Sequence, residues 1–329
     1  YTGNGSTNAQ TGVGFQPDWV WLKIRSDTAN HHLYDSVRGV QKRINSNTTN
    51  VEATSANNLT SFNSDGFTLG SESDINQNSS TYASWNWKAG TTSGISTDSY
   101  STITPTSYSF NATNGFSIVK YNGNATAGAG VPHGLGVAPK MVIVKRLSDS
   151  GTGWYVYNKE IGAGNVVYLN STSSSSSAST VWNGWNTDAY NFYLGTNTGV
   201  NRSGDSYIAY CFAEKTGYSK FGSYTGNGNA DGTFVYTGFK PAFVMIKRTN
   251  DANDWFLQDN KRLGYNAANY YLEANTNLAE QSNSDIDILS NGFKCRSNGG
   301  GHNNSGGNYI YLAFGQSLVG SNNVPCTAR

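Results

Sequence analysis

The chain has 329 residues, of which 13% are charged, with a formal net charge of +1, three cysteines and 21 tyrosines. That balance excludes a nucleic-acid partner, which would need a basic face, and a charged disordered tail. No apolar stretch approaches the ~20 residues of a membrane helix, so no membrane partner is expected. Asn, Ser, Thr and Gly replace charge at the surface, which suits tight turns and hydrogen bonding and points to an extracellular or virion surface.

Three segments share one pattern: GFQPDWVWLKIRSDTANHHLYD from Gly14, GVAPKMVIVKRLSDSGTGWYVYN from Gly136 and GFKPAFVMIKRTNDANDWFLQD from Gly238. Self-similarity at a fixed period marks an array, so the expected fold is all-β: three tandem antiparallel β-sandwich-like (jelly-roll or lectin-like) repeats of about 110 residues. The expected boundaries are 1–90 for repeat 1, 91–107 for a Gly/Ser/Thr-rich linker, 108–216 for repeat 2 and 217–329 for repeat 3. The spacer between the first two is long enough to be flexible, so repeats 2 and 3 should pack together with repeat 1 apart. Helical periodicity is absent.

Repeat 1 opens on YTGNG at Tyr1. Its counterparts at Tyr121 and Tyr224 each follow a short strand, FSIVK from Phe116 and FGS from Phe221. Asn-Gly after a strand reads as a hairpin turn, because both residues tolerate positive φ. The first copy lacks its leading strand, so either the chain extends N-terminal to Tyr1 or another subunit supplies that strand.

The apolar run after each proline should be a central strand covered on both faces. Val20, Leu22, Val142, Val144, Val244 and Ile246 point one way; Trp19, Trp21, Met141, Ile143, Phe243 and Met245 point the other. Each run ends on a lysine, Lys23, Lys145 or Lys247, expected to lie over apolar surface with its ammonium at the rim. Asp35 with Arg38, and Asp259 with Arg262, are spaced to clamp a turn through a charge-assisted bond. Repeat 2 has Asn158 and no arginine there.

The loop of repeat 2 after residue 169 contains a serine run with nothing to bury, expected to be mobile. Beyond it, Trp182 and Trp185 stand among Asn, Gly and Thr, and an indole there is a candidate platform for a sugar ring. Cys211, Cys295 and Cys326 allow one disulfide at most and read as buried small side chains.

No catalytic or metal-binding motif is written. His31, His32, His133 and His302 have no ligand spacing and read as surface residues. Calcium is compatible with the Asp/Asn-rich loops, but no EF-type loop is present. A glycosidase needs two carboxyl groups facing across a cleft, and the one alternation available, Asp285 and Asp287, reads as an exposed strand edge.

Taken together, YTGNG, GFxPxxVxIK, DxxRG, SFxSDGFxLG and YxAxxW/F resemble a β-rich module found in virion proteins of marine tailed bacteriophages, often beside laminin-G-like or concanavalin-like domains. The C-terminal AFGQSLVGSNNVPCTAR resembles the ending of such proteins, which makes Arg329 an expected true terminus. The resemblance implies a non-enzymatic tail-fibre, spike or capsid-surface protein that joins other virion proteins and attaches to host-surface glycans. A homo-oligomer is expected, a trimer by analogy with fibres. The alternatives are a self-associating extracellular filament subunit and a secreted carbohydrate-active enzyme.

Overall fold

A computed structural model describes residues 1–263 and 265–315, with residues 283–285 described by backbone alone. The chain is all-β and antiparallel, with two four-residue helices, Ser73–Asn76 and Thr198–Asn201, where the sequence showed no helical periodicity. No helix among the described residues is long and apolar enough to cross a membrane. Two compact units form, one of residues 1–170 and 176–213, the other of residues 171–175 and 214 onward.

In the first unit the strands Trp19–Ile24 and Met141–Arg146 are each central in a sheet and buried along their whole length. The strand order of one sheet is His32–Asp35, Trp19–Ile24, Tyr82–Trp87; the other has seven strands, with Met141–Arg146 between Trp154–Asn158 and Ser206–Phe212. The face assignment read from the sequence holds. Val20 and Leu22 pack against Leu59, Phe67, Leu69 and Ile75, and Val142 and Val144 against Val131, Val166, Phe192 and Leu194. Two sandwich-like cores result, each closed by strands outside the central sheet.

The opposite faces of these two sheets meet. Trp19 stacks on Tyr210 with ring centroids 4.5 Å apart and lies 5.7 Å from Phe116. The Trp154 indole donates to Asn45 O at 2.9 Å, and the Tyr210 hydroxyl to Asp35 Oδ2 at 2.7 Å. Residues 1–90 are therefore not set apart from residues 108–213. Aromatic surface on Trp19, Trp21 and Trp87 is too large to leave in water, and it draws the two sheets into one unit. The segment 91–107 is likewise fastened down: Thr91 bridges Phe110, Thr102 and Ile103 both donate to Gly130 O, and the Ile103 side chain is buried.

In the second unit one eight-stranded sheet carries Pro241–Arg248 between Trp255–Asp259 and Asn308–Gly315. Val244 and Ile246 pack with Ile286, Ile288, Phe293 and Tyr309, again as the alternation predicted. The serine segment 171–175 is held in this unit, with Ser175 N donating to Thr249 O and Asn253 N to Thr172 O, both at 2.8 Å. Backbone pairing supplies the order that its side chains could not.

The Tyr-x-Gly-Asn motif is not a two-residue hairpin turn. A Cβ on Gly3, Gly123 or Gly226 would lie 2.1, 2.3 or 2.3 Å from the carbonyl oxygen of Gln77, Arg202 or Asn304. At these glycines the requirement is close approach of two backbones, whereas the glycine of the following Asn-Gly step does take the positive φ expected of it, 71° at Gly5 and 67° at Gly228. The motif docks on a short helical turn through a fully buried asparagine. Asn76, Asn201 and Asn303 accept from Asn4 N, Asn124 N and Asn227 N, and their amide groups donate to two carbonyls each. The motif tyrosine stacks on the first tyrosine of the closing strand in each case: Tyr1 on Tyr82 at 4.8 Å, Tyr121 on Tyr207 at 5.2 Å and Tyr224 on Tyr309 at 4.9 Å.

Candidate functional site

The three strand-ending lysines lie deeper than the sequence suggested. Lys23, Lys145 and Lys247 are fully buried. Each ammonium donates to backbone carbonyls: Lys23 to Ile24 O at 2.8 Å, Lys145 to Thr152 O at 2.6 Å and Thr49 O at 3.1 Å, Lys247 to Thr172 O at 2.8 Å and Asn253 O. Burial pulls all three down from 10.5 to about 8. They are internal ties between a strand end and its loops, and water does not reach the ammonium as the rim position required.

Both predicted clamps form. Arg38 Nε donates to Asp35 Oδ2 at 2.5 Å and Arg262 Nε to Asp259 Oδ2 at 2.7 Å, with each arginine also holding the carbonyl of Leu33 or Leu257. A second acid joins each pair, Glu52 at 3.3 Å and Glu280 at 2.9 Å, and no local spacing announced it. In the middle segment Asn158 Oδ1 accepts from Glu160 N in place of the ion pair.

All four histidines are buried, contrary to the surface reading. His133 accepts from Leu135 N at Nδ1 and faces Asp188 O at 3.1 Å from Nε2, so the neutral ring fills both roles; burial lowers it to about 4. His31 accepts from the Trp21 indole at 2.8 Å. His302 faces Gln258 Oε1 at 3.1 Å, and His32 lies between Tyr34 and Asp74. Cys211 and Cys295 are buried, and Cys326 lies outside the described residues. Asp287 sits on an interior strand, Gln281–Leu289, with Oδ2 3.4 Å from Arg296 Nε, so the exposed-edge reading fails there; the Asp285 side chain lies outside the described residues.

The two tryptophans separate. Trp182 is 1% exposed, edge-on to Tyr157 at 6.0 Å in the core, and cannot meet a ligand. The loop around it folds back because burying an indole outweighs leaving its N–H without a hydrogen-bond partner. Trp185 is 46% exposed and borders an open cleft of about 450 Å³ lined with Tyr100, Gly184, Asn186 and Tyr193. Its ring is edge-on to Tyr193 at 5.1 Å and abuts Gly128, where an added Cβ would come within 3.4 Å of the indole. Tyr100, 57% exposed, supplies a second aromatic wall.

The cleft is rigidly framed. Trp185 N donates to Trp182 O at 3.1 Å, and Thr187 Oγ1 to Pro139 O at 2.6 Å. The Tyr157 hydroxyl donates to Asn186 Oδ1 at 3.2 Å, which leaves the Asn186 amide NH2 to donate elsewhere. Asp188 accepts from Tyr190 N and Asn191 N through one oxygen and from the Tyr193 hydroxyl through the other. Burial, then this carboxylate, push the Tyr193 hydroxyl up, so it stays a donor. Asp98 Oδ1 accepts from Tyr100 N at 3.0 Å, Ser101 Oγ at 3.1 Å and buried Asn191 Nδ2 at 2.8 Å. Desolvation alone would raise Asp98; the bonds from Asn191, Tyr100 and Ser101 outweigh it and hold the carboxyl below its usual range. Two aromatic walls, an amide donor and a nearby carboxylate suit a sugar, whose C–H face stacks on rings while its hydroxyls take polar partners.

Sequence reasoning found Trp185 but not Tyr100, which lies in the segment read as linker. It reaches the cleft because Gly130 has no side chain: a Cβ there would sit 2.2 Å from Tyr100 O. A glycine opposite a loop carbonyl leaves no local signal.

Residues 1–317 match the model of the family described as Domain of unknown function (DUF7483), and the chain belongs to that family. No curated protein and no solved structure matches it.

Proposed function

From that family membership, which assigns no activity, we propose that this is a non-enzymatic surface protein that binds glycans in the cleft between Trp185 and Tyr100. The observation that carries the reading is the exposure of two large aromatic side chains, 46% and 57%, across an open concavity. Exposed aromatics are costly in water unless a partner covers them, and a sugar ring is such a partner. Asp98 and Asp188 are engaged as acceptors for neighbouring backbone and side-chain groups, which favours binding over acid–base chemistry. With these two carboxylates beside it, the cleft favours neutral over acidic sugars.

The resemblance to virion modules supports placing the protein on a phage particle, as tail fibre, spike or capsid decoration, where glycan binding would serve host attachment. The recurring tyrosine stack, buried asparagine and carbonyl-bound lysine support three copies of one unit along the chain. Trp185 belongs to the middle copy and Tyr100 to the segment that leads into it, so one such cleft per chain is expected. Assembly as a closed homo-oligomer would multiply weak single sites into useful avidity. The test is a glycan array and host-cell adsorption with wild type, Trp185→Ala and Tyr100→Ala. Loss of both signals in the variants, with folding unchanged, supports the reading, and retention in both removes the site.

A further inference from the structure

Seven Asn-Gly steps occur in the chain, and one of them stands apart. In four the glycine N–H is tied to a backbone carbonyl: Gly5 N to Asn76 O at 2.8 Å, and Gly115 N to Asn111 O, Gly123 N to Asp205 O and Gly228 N to Asn303 O, each at 2.9 Å. Gly292, after Asn291, is buried in a paired strand opposite Leu289. Gly299, after Asn298, donates to Ser297 Oγ at 3.4 Å. At Asn183 and Gly184 neither the side-chain amide nor the glycine N–H meets a hydrogen-bond partner among the described residues, and Gly184 is exposed. Both residues are left-handed, with φ 54° and 68°, and Trp185 N donates to Trp182 O across them at 3.1 Å. These are the marks of a type I′ turn, whose central N–H groups take no part in the closing bond. The turn joins buried Trp182 to exposed Trp185. An added Cβ on Gly128 would lie 3.3 Å from Asn183 Nδ2 and 3.4 Å from Trp185 Cη2, so the amide and the indole rest side by side over that glycine.

We propose that Asn183 with Gly184 is a self-modification site whose deamidation disables the cleft, an inference that rests on the glycan-binding reading of that cleft. The Gly184 amide nitrogen attacks Asn183 Cγ. A Cγ–N bond forms, the Cγ–Nδ2 bond breaks, and Nδ2 leaves as ammonia with the Gly184 amide proton. The product is a five-membered succinimide. Water then opens the ring at one of its two carbonyls. Opening at the backbone carbonyl yields isoaspartate, with the main chain running through Cβ; opening at Cγ yields ordinary aspartate. Glycine permits the attack because it puts no Cβ in the path and leaves the backbone free to turn. Either product sets a carboxylate beside the Trp185 indole, where the neutral amide stood. Isoaspartate also adds one main-chain atom to the turn, which breaks the spacing of the bond from Trp185 N to Trp182 O and shifts the indole against Tyr100 and Tyr193.

The experiment ages the whole protein at mildly alkaline pH, where the attacking amide loses its proton more readily, and maps all seven steps by peptide mass spectrometry. A glycine N–H held by a backbone bond must first open, so Asn183 should convert at least about tenfold faster than Asn4, Asn114, Asn122 and Asn227. Amide hydrogen exchange should show lost protection at the Trp185 N–H of the aged protein. A neutral oligosaccharide that the fresh protein binds on an array should bind the aged protein at least about tenfold more weakly. Asn183→Gly keeps a residue suited to positive φ and has no side-chain amide to lose, so it should age with full binding. Conversion at Asn183 no faster than at the four tied steps overturns the proposal, as does conversion that leaves Trp185 protected or the oligosaccharide bound as before. If the fresh protein binds no glycan, the cleft reading fails by itself, and the rate at Asn183 with the exchange at Trp185 still upholds or overturns the modification.

Discussion

Raising the pH from 7 to 9 should stabilise this protein, because three lysines are buried beside carbonyls instead of carboxylates. Each is pulled from 10.5 to about 8 by desolvation. The folded value lies below the unfolded one, so between pH 8 and 10.5 the unfolded chain holds a proton that the folded chain has released. Stability therefore climbs through that window and is flat below it. At pH 9 the gain is about 1.4 kcal/mol per lysine, and the full span of 2.5 units is worth about 3 kcal/mol. The climb ends near pH 10, where tyrosines of the unfolded chain ionise while buried Tyr34, Tyr121, Tyr210 and Tyr224 are held far above that value by desolvation. Urea unfolding at pH 7, 8, 9 and 9.5 reads the effect directly. The first unit holds Lys23 and Lys145 and the second Lys247, so separate transitions would shift in a ratio of about two to one. Lys247→Met should remove the pH dependence of the second. A stability that is level or falling between pH 8 and 9.5 would refute the reasoning, by showing that carbonyl contacts to the ammonium outweigh its desolvation.

Trp182→Ala should cost about 3–5 kcal/mol in chemical denaturation, while Trp185→Ala should leave stability within about 0.5 kcal/mol. Arg262→Met strands Asp259 and Glu280 and should cost about 3–5 kcal/mol. Asp259 is held below its usual value, desolvation being outweighed by Arg262 and by the Arg262 and Lys261 amides. Its contribution is thus full above about pH 4 and lost as pH falls below that, and Arg262→Met should flatten this acid limb in pH-dependent unfolding. Gly123→Ala places a methyl against Arg202 O and should lower stability by about 1–3 kcal/mol, measured by thermal unfolding.

The strands that carry local alternation were legible in the sequence. Val20 and Leu22, Val142 and Val144, and Val244 and Ile246 turn to the cores that period two predicts, and the Asp-Arg clamps close as their spacing allows. What was illegible depends on partners distant in the chain. Lys145 looks like a surface lysine until Thr49 O, 96 residues away, is placed against it. Asn76, Asn201 and Asn303 look like loop residues until the Tyr-x-Gly-Asn loop folds over them. The candidate cleft was half visible: the loop tryptophans drew attention, but only the fold shows that Trp182 packs against Tyr157 while Trp185 stays outside, and Tyr100 arrived through a glycine contact.

The most direct test of the glycan-binding reading is calorimetric titration of the purified protein with neutral oligosaccharides selected on an array, run beside Trp185→Ala and with a uronate-containing control. The account predicts saturable binding of a neutral glycan, weakened at least about tenfold by Trp185→Ala, with the acidic control bound more weakly and Asp98→Asn narrowing that gap. Binding that is indifferent to Trp185, or an array with no neutral glycan bound, would contradict it.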